Sequence, residues 1–281
     1  MNQKKPIMGV LVCLGWALAY IVVLKICGYV SLFLDPSADM YSLTGVLAQT
    51  VSCAFIFVPL LVHKKLYVFK EKKKSTLYSI GVSGFYMFSL AAALILGLLD
   101  VIDGCAKGLV WAGWLNLICY VISMAIVGIS EELMFRGVII NVLKDYFGNE
   151  KRSQMYGTVI WSGIIFGSMH IFNILSGVSP KGAIFQALGA AGVGCYFGAI
   201  YVRTGNLGFL MTIHAINDLV LDLCGGIFGQ SSAIEQISGY DAKKTIGVLF
   251  YVALTMFLLR KKKTLPLLDV EQTEEVQQET I

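Results

Sequence analysis

The sequence predicts an all-α fold, a polytopic membrane bundle of about eight transmembrane helices with both termini cytoplasmic, and three observations carry that prediction. The 281 residues are 57% hydrophobic and only 14% charged, whereas a soluble domain keeps about a quarter of its residues charged to wet its surface. Apolar runs long enough to cross a bilayer, about 20 residues at 1.5 Å each, recur along the chain. Lysines and arginines collect in alternate connections between those runs, as they do on the cytoplasmic side of multi-pass proteins. Together these features exclude a soluble catalytic domain and make the lipid bilayer the chain's first partner.

Taken in order, the apolar runs begin near Ile7, Ser42, Thr76, Leu109, Tyr156, Ala183, Leu207 and Thr245. The first follows Lys4 and Lys5 and contains Ala17-Leu18-Ala19, which has the form of a signal-peptide cleavage site. Its apolar character continues to about Val30, so a cut there would strand a hydrophobic stub, and the run is read as a retained span. Asp35 and Asp39 follow it; Lys64, Lys65, Lys70, Lys72, Lys73 and Lys74 follow the second run, and Asp100 and Asp103 the third. Arg136, Lys144, Lys151 and Arg152 are read after the fourth run, Arg203 after the sixth and Arg260 to Lys263 after the eighth, all on the cytoplasmic side. Topology and attraction to anionic headgroups account for these charges, so no nucleic acid is expected as a partner.

One transmembrane domain is expected over 1–264, followed at 265–281 by an acidic mobile cytoplasmic tail carrying Glu271, Glu274, Glu275 and Glu279. The seven cysteines are odd in number, scattered and without Cys-x-x-Cys spacing. They read as small core residues, not as a disulfide framework or a thiolate metal site.

Function is sought where ionisable groups interrupt the spans, because a charge at the bilayer centre costs at least about 2.5 kcal/mol unless paired or wet. Three segments qualify: Ser130-Glu131-Glu132 through Arg136, Phe166 to His170, and His214 to Asp218. On a helix Glu132 and Arg136 share a face and can pair, while Glu131 is turned about 100° away and is left free to act as a base. Phe166 stands one turn before His170, and Asp218 one turn after His214, where a carboxylate can accept a ring proton and fix the tautomer. Taken singly, each has a plain structural explanation, since buried ion pairs and histidines also fasten bundles. Two glutamates, an arginine and two histidines on three spans exceed what fastening requires. Gly163 with Gly167, and Gly194 with Gly198, permit close helix approach around them. His63, at the basic edge of the second run, is read as an interface residue.

The order Glu-Glu-x-x-x-Arg (Glu131, Glu132, Arg136), Phe-x-x-x-His (Phe166, His170) and His-x-x-x-Asp (His214, Asp218) on successive spans resembles the CPBP family, the CAAX proteases and bacteriocin-processing enzymes also called the ABI family. The resemblance covers about 109–226; the first three spans share only their hydrophobicity. It implies an eight-helix intramembrane endopeptidase of a bacterial cell membrane, with a site open to the cytosol, acting on a peptide or membrane-anchored protein. By this resemblance Glu131 activates a water with His170, Glu132 and Arg136 support them, and His214 with Asp218 lines the scissile carbonyl. The CAAX-processing members carry Asn where this chain has Asp218, which donates a hydrogen bond only when protonated. Asp218 is thus open to orienting His214 or binding a metal instead, and Asn217, about 100° away, is a poor substitute.

Glu131, His170 and His214 also have the types needed for a catalytic zinc site with one open position, although no His-Glu-x-x-His occurs and metal-independent chemistry is the preferred reading. Two other functions draw on the same residues: a proton- or ion-coupled transporter, and a non-catalytic bacteriocin-immunity or scaffold membrane protein. One conflict remains. With Glu131 at the cytoplasmic end of the fourth span and His170 about 15 residues, or about 22 Å, into the fifth, the two would not meet. The expected remedy is an interfacial segment such as Val138 to Phe147 that lets the fifth span begin inside the bundle.

Overall fold

The computed structural model describes residues 5–39, 41–70, 73–229 and 233–260; the acidic segment 265–281 expected as a tail lies outside them. Among the described residues every regular element is helical. Six helices are long and apolar enough to cross a membrane: α1 (Pro6–Leu34), α2 (Leu43–Val62), α3 (Gly84–Ala106), α4 (Trp114–Phe147), α5 (Arg152–Ser176) and α6 (Pro180–Thr204). Two more apolar helices, α7 (Leu207–Leu221) and α8 (Lys244–Leu258), are shorter at 15 residues each. That is about 22 Å of rise against a hydrocarbon core of about 30 Å. Beyond Asp222 the chain of α7 turns into a further short helix, Leu223–Phe228. The eight apolar runs of the sequence thus correspond to eight helices, and the protein is an integral multi-pass bundle.

Local chemistry sets the helix starts. The side chains of Ser42, Ser75, Ser179 and Asn206 accept hydrogen bonds from the N–H groups of Gly45, Tyr78, Gly182 and Phe209, satisfying donors that a helix start leaves open. The third run begins with a separate short helix, Thr76–Val82, and α3 follows after a break at Ser83. The tight link from α6 to α7 uses Gly205 at φ 59, a left-handed conformation in which a side chain would be strained.

Burial is uneven. α1 and α3 keep large apolar residues such as Leu11, Phe33, Phe88 and Leu96 exposed, which suits a lipid-facing ring. The core instead gathers around the second half of α4, where Val138, Ile139, Ile140, Val142 and Leu143 are wholly buried against residues such as Val159 and Ile200. The interfacial segment expected over Val138 to Phe147 is therefore not found. The chain continues there as one helix from Trp114 to Phe147, with a π-helical stretch over Leu133–Ile140. Wider turns release carbonyls, and Asn141 Nδ2 donates to those of Arg136 and Gly137, each at 3.0 Å.

This continuity removes the distance conflict. Glu131 sits 16 residues before Phe147 and His170 sits 18 residues after Arg152, about 24 and 27 Å from the turn joining antiparallel α4 and α5. The two residues are level, near the middle of the bundle. Arg136, read from sequence as a loop charge, is in mid-helix and 1% exposed.

The remaining basic residues share one end. Lys65 pairs with Asp145 at 2.7 Å, Arg152 donates to the Arg260 carbonyl, Arg203 to the Leu258 carbonyl and the Tyr78 hydroxyl, and the Lys74 N–H to the Thr204 carbonyl. Gly9 lies against Tyr146, so both ends of the described chain are at this basic end. His63 is there too, its Nε2 accepting from Trp16 Nε1 at 2.8 Å, remote from the other two histidines. All seven cysteines are free.

Candidate active site

Close helix packing builds the site. Gly163 and Gly167 of α5 bear directly on α6: a Cβ on Gly163 would fall 2.4 Å from Cys195 Sγ, and one on Gly167 2.4 Å from the Ala187 carbonyl oxygen. Gly194 meets the same seam from the other side, near Phe166. A further glycine brings α4 to α7, because a Cβ on Gly128 would stand 2.5 Å from the backbone nitrogen of Ala215. That contact sets Glu131 and Glu132, one turn along α4, beside His214.

Glu132 and Arg136 pair as their spacing requires, with Nη1 donating to Oε1 at 2.9 Å and both side chains almost wholly buried. Arg136 Nη2 donates to the Gly194 carbonyl at 3.2 Å. The guanidinium lies 5.0 Å from the ring centroid of Phe166 and 5.4 Å from that of Phe197, so two aromatic faces replace water around it. The same Glu132 oxygen is 2.7 Å from His214 Nδ1. A carboxylate held by a guanidinium accepts only, so Nδ1 is the donor, and Glu132 fixes the ring.

The residue orienting His214 is therefore Glu132, where the sequence pointed to Asp218. Asp218 Oδ2 and Glu131 Oε2 stand 3.6 and 3.5 Å from the other ring nitrogen, Nε2. These distances are too long for good hydrogen bonds, so Nε2 is not committed to either carboxylate. Asn217 faces away from this space and donates to Asp218 Oδ1 at 3.2 Å. His170 is held by its own helix: Nδ1 is 3.1 Å from the Phe166 carbonyl, which can only accept, so the proton is on Nδ1 and the Nε2 lone pair is free. The Phe166 ring packs edge-on against that imidazole at 4.9 Å.

Glu131, His170, His214 and Asp218 line one cavity of about 400 Å³, with Phe166 in its wall. Glu132 and Arg136 stand behind it. Among the described residues no group of three His, Cys, Asp or Glu side chains is arranged to hold a metal ion. Several lining residues were not singled out from the sequence: Tyr20, Asn173, Gln186, Tyr41 and Asp222. Asn173 Nδ2 donates to Gln186 Oε1 at 2.8 Å, and the Tyr41 hydroxyl donates to Asp222. A signal for Asp222 was present, since His214, Asp218 and Asp222 repeat every four residues and form one helical stripe.

The cavity runs from Glu131 in mid-bundle toward Ser176, Asp222 and the segment Ala233 to Tyr240. Those residues lie at the end of the bundle opposite the basic loops. The sequence reading put a cytosolic opening and the basic loops on the same side, and the structure separates them.

Comparison with known proteins gives a family match. Residues 109–220 match the Rce1-like family, described as type II CAAX prenyl endopeptidase Rce1-like, which agrees with the family read from the three motifs. No curated protein and no solved structure matches the chain.

Proposed function

We propose that this multi-pass membrane protein, Rce1-like over residues 109–220, is an intramembrane endopeptidase that hydrolyses a peptide bond with water activated by Glu131 and His170. The observation that carries the reading is the sharing of one mid-bundle cavity by Glu131, His170, His214 and Asp218, with a buried Arg136–Glu132–His214 chain behind it. Buried charge of this kind is costly in a membrane bundle. Its arrangement around a cavity favours chemistry over mere fastening.

In this mechanism the substrate carbonyl enters the cavity beside Glu131 and His214. Glu131 takes a proton from water while the His170 Nε2 lone pair orients it, and the water oxygen bonds to the carbonyl carbon. His214, carrying both ring protons, keeps Nδ1 on Glu132 and turns its Nε2 proton to the developing oxyanion. As the C–N bond breaks, the proton held by Glu131 passes to the leaving amine, giving a new carboxylate and a new amino terminus. Asp218 beside Nε2 stabilises the imidazolium, and when protonated it donates to the same oxyanion. Phe166 walls the site and, with Phe197, packs the guanidinium.

The test uses the purified full-length chain in detergent micelles with a peptide library, products being identified by mass spectrometry. Cleavage of a subset of peptides that His170→Ala no longer cuts is expected. Cleavage by His170→Ala at the parental rate, on a peptide the parent cuts, would overturn the assignment.

A further inference from the structure

We infer that the cavity is entered from the non-cytoplasmic side of the membrane, so that its substrates are apolar peptide segments presented on that side and not the tails of cytoplasmic proteins. The inference rests on the peptidase reading for the word substrate, but its sidedness stands on placement alone.

Two independent observations meet here. The first is which end of the bundle carries positive charge. Lys64, Lys65 and Lys70 lie in the connection after α2, Lys144 in the last turn of α4, and Lys151 and Arg152 at the junction of α4 and α5, with Arg203 closing α6 and Arg260 closing α8. The described acidic residues among them are only Asp145 and Glu150. At the other end Lys107 is paired with Asp103 at 2.5 Å and Lys25 donates to Ser176, and with Lys181 and Lys243 they share that end with Asp35, Asp39, Asp100, Glu235 and Asp241. An excess of Lys and Arg in short loops marks the cytoplasmic side. The bias is strong because these loops are all short and at the opposite end acidic residues outnumber basic ones.

The second is where the cavity goes. It is lined at its depth by Glu131 and His170 and at its rim by Ser176, Gln236 and Tyr240, the rim being tied to the start of α6 by Ser179, whose N–H and hydroxyl donate to Ser238. Between the depth of the cavity and the basic end stands the buried half of α4, where Val138 to Leu143 are wholly buried and none lines the cavity. A chain inserted by its loop charges therefore presents the cavity mouth outward. Most of the lining is apolar, with Ile21, Leu24, Val127 and Ile234 among it, so a hydrophobic stretch of peptide is the segment it takes.

The test is accessibility in intact cells that express the full chain. Native Cys105, exposed at the mouth end, serves as the outer probe, with Cys105→Ser as its blank; Lys64→Cys in the Cys105→Ser background probes the basic end. With a membrane-impermeant maleimide, labelling lost in Cys105→Ser is expected without permeabilisation, and Lys64→Cys gains label only after permeabilisation. The reverse pattern would overturn the inference. Labelling needs no turnover, so the expected pattern without peptide cleavage leaves the sidedness standing and removes only the peptidase reading. If Lys64→Cys does not accumulate, a green fluorescent protein fused after Ile281 replaces it: fluorescence is expected, and active alkaline phosphatase at that position overturns the proposal.

Discussion

Gly128 is where the site is most sensitive to a single methyl group. Its Cβ in Gly128→Ala would lie 2.5 Å from the Ala215 nitrogen, 2.8 Å from its Cα and 2.9 Å from its Cβ, against a favourable separation of about 3.5–4.0 Å. Two backbones are involved and neither can swing aside, so α4 and α7 must part by about 1 Å, at an overpacking cost of about 1–3 kcal/mol. His214 precedes Ala215, and its 2.7 Å bond to Glu132 opens to roughly 3.7 Å, beyond hydrogen-bonding range. Misplacing a catalytic group by 1 Å costs about 10²-fold in rate. The assay is kcat on a peptide the parent cleaves, with Tm in the same detergent, and Gly189→Ala as control because nothing stands within 4 Å of a Cβ there. We predict a loss of about 10²-fold with a lowered Tm for Gly128→Ala, and neither for Gly189→Ala. A Gly128→Ala protein with parental kcat and Tm would refute the claim that this approach sets His214.

Two other substitutions follow from the same geometry. Arg136→Met leaves the Glu132 carboxylate buried without its partner and is expected to cost about 3–5 kcal/mol, read as a lowered Tm or loss of folded protein in detergent; an unchanged Tm would contradict the buried pairing. Asp218→Asn places a permanent hydrogen-bond donor beside His214 Nε2 and is expected to keep activity within about tenfold of the parent, whereas Asp218→Ala loses about 10²–10³-fold, the size of one lost oxyanion donor. Equal rates for the two variants would remove Asp218 from the oxyanion site.

Much of this was legible in the sequence because membrane spans and intramembrane charges are each written in single residue types. The eight apolar runs, the Glu132–Arg136 pair and the free position of Glu131 follow from helical spacing alone, and the glycines of α5 and α6 mark their seam. What the spacing hid was register between helices. Nothing local in Val138 to Phe147 distinguishes an interfacial amphipathic turn from a buried continuation of α4, and placing the turn before that segment misplaced Glu131 by half a bilayer. The partner of His214 was hidden for a related reason: Asp218 is its neighbour along the helix, but Glu132 reaches it from another helix, across a contact that Gly128 makes possible. The opening of the cavity was likewise invisible, since it depends on which half of each helix is packed and which is not.

The central claim is that the Glu131 carboxylate is the base within a shared cavity. Replacing it by the isosteric amide and measuring the initial cleavage rate at matched folded concentration tests this most directly. Loss of a general base costs about 10²–10⁴-fold, so we predict that Glu131→Gln cleaves at least about a hundredfold more slowly with an unaltered Tm, while still retaining peptide in the cavity. Parental rates from Glu131→Gln would contradict it.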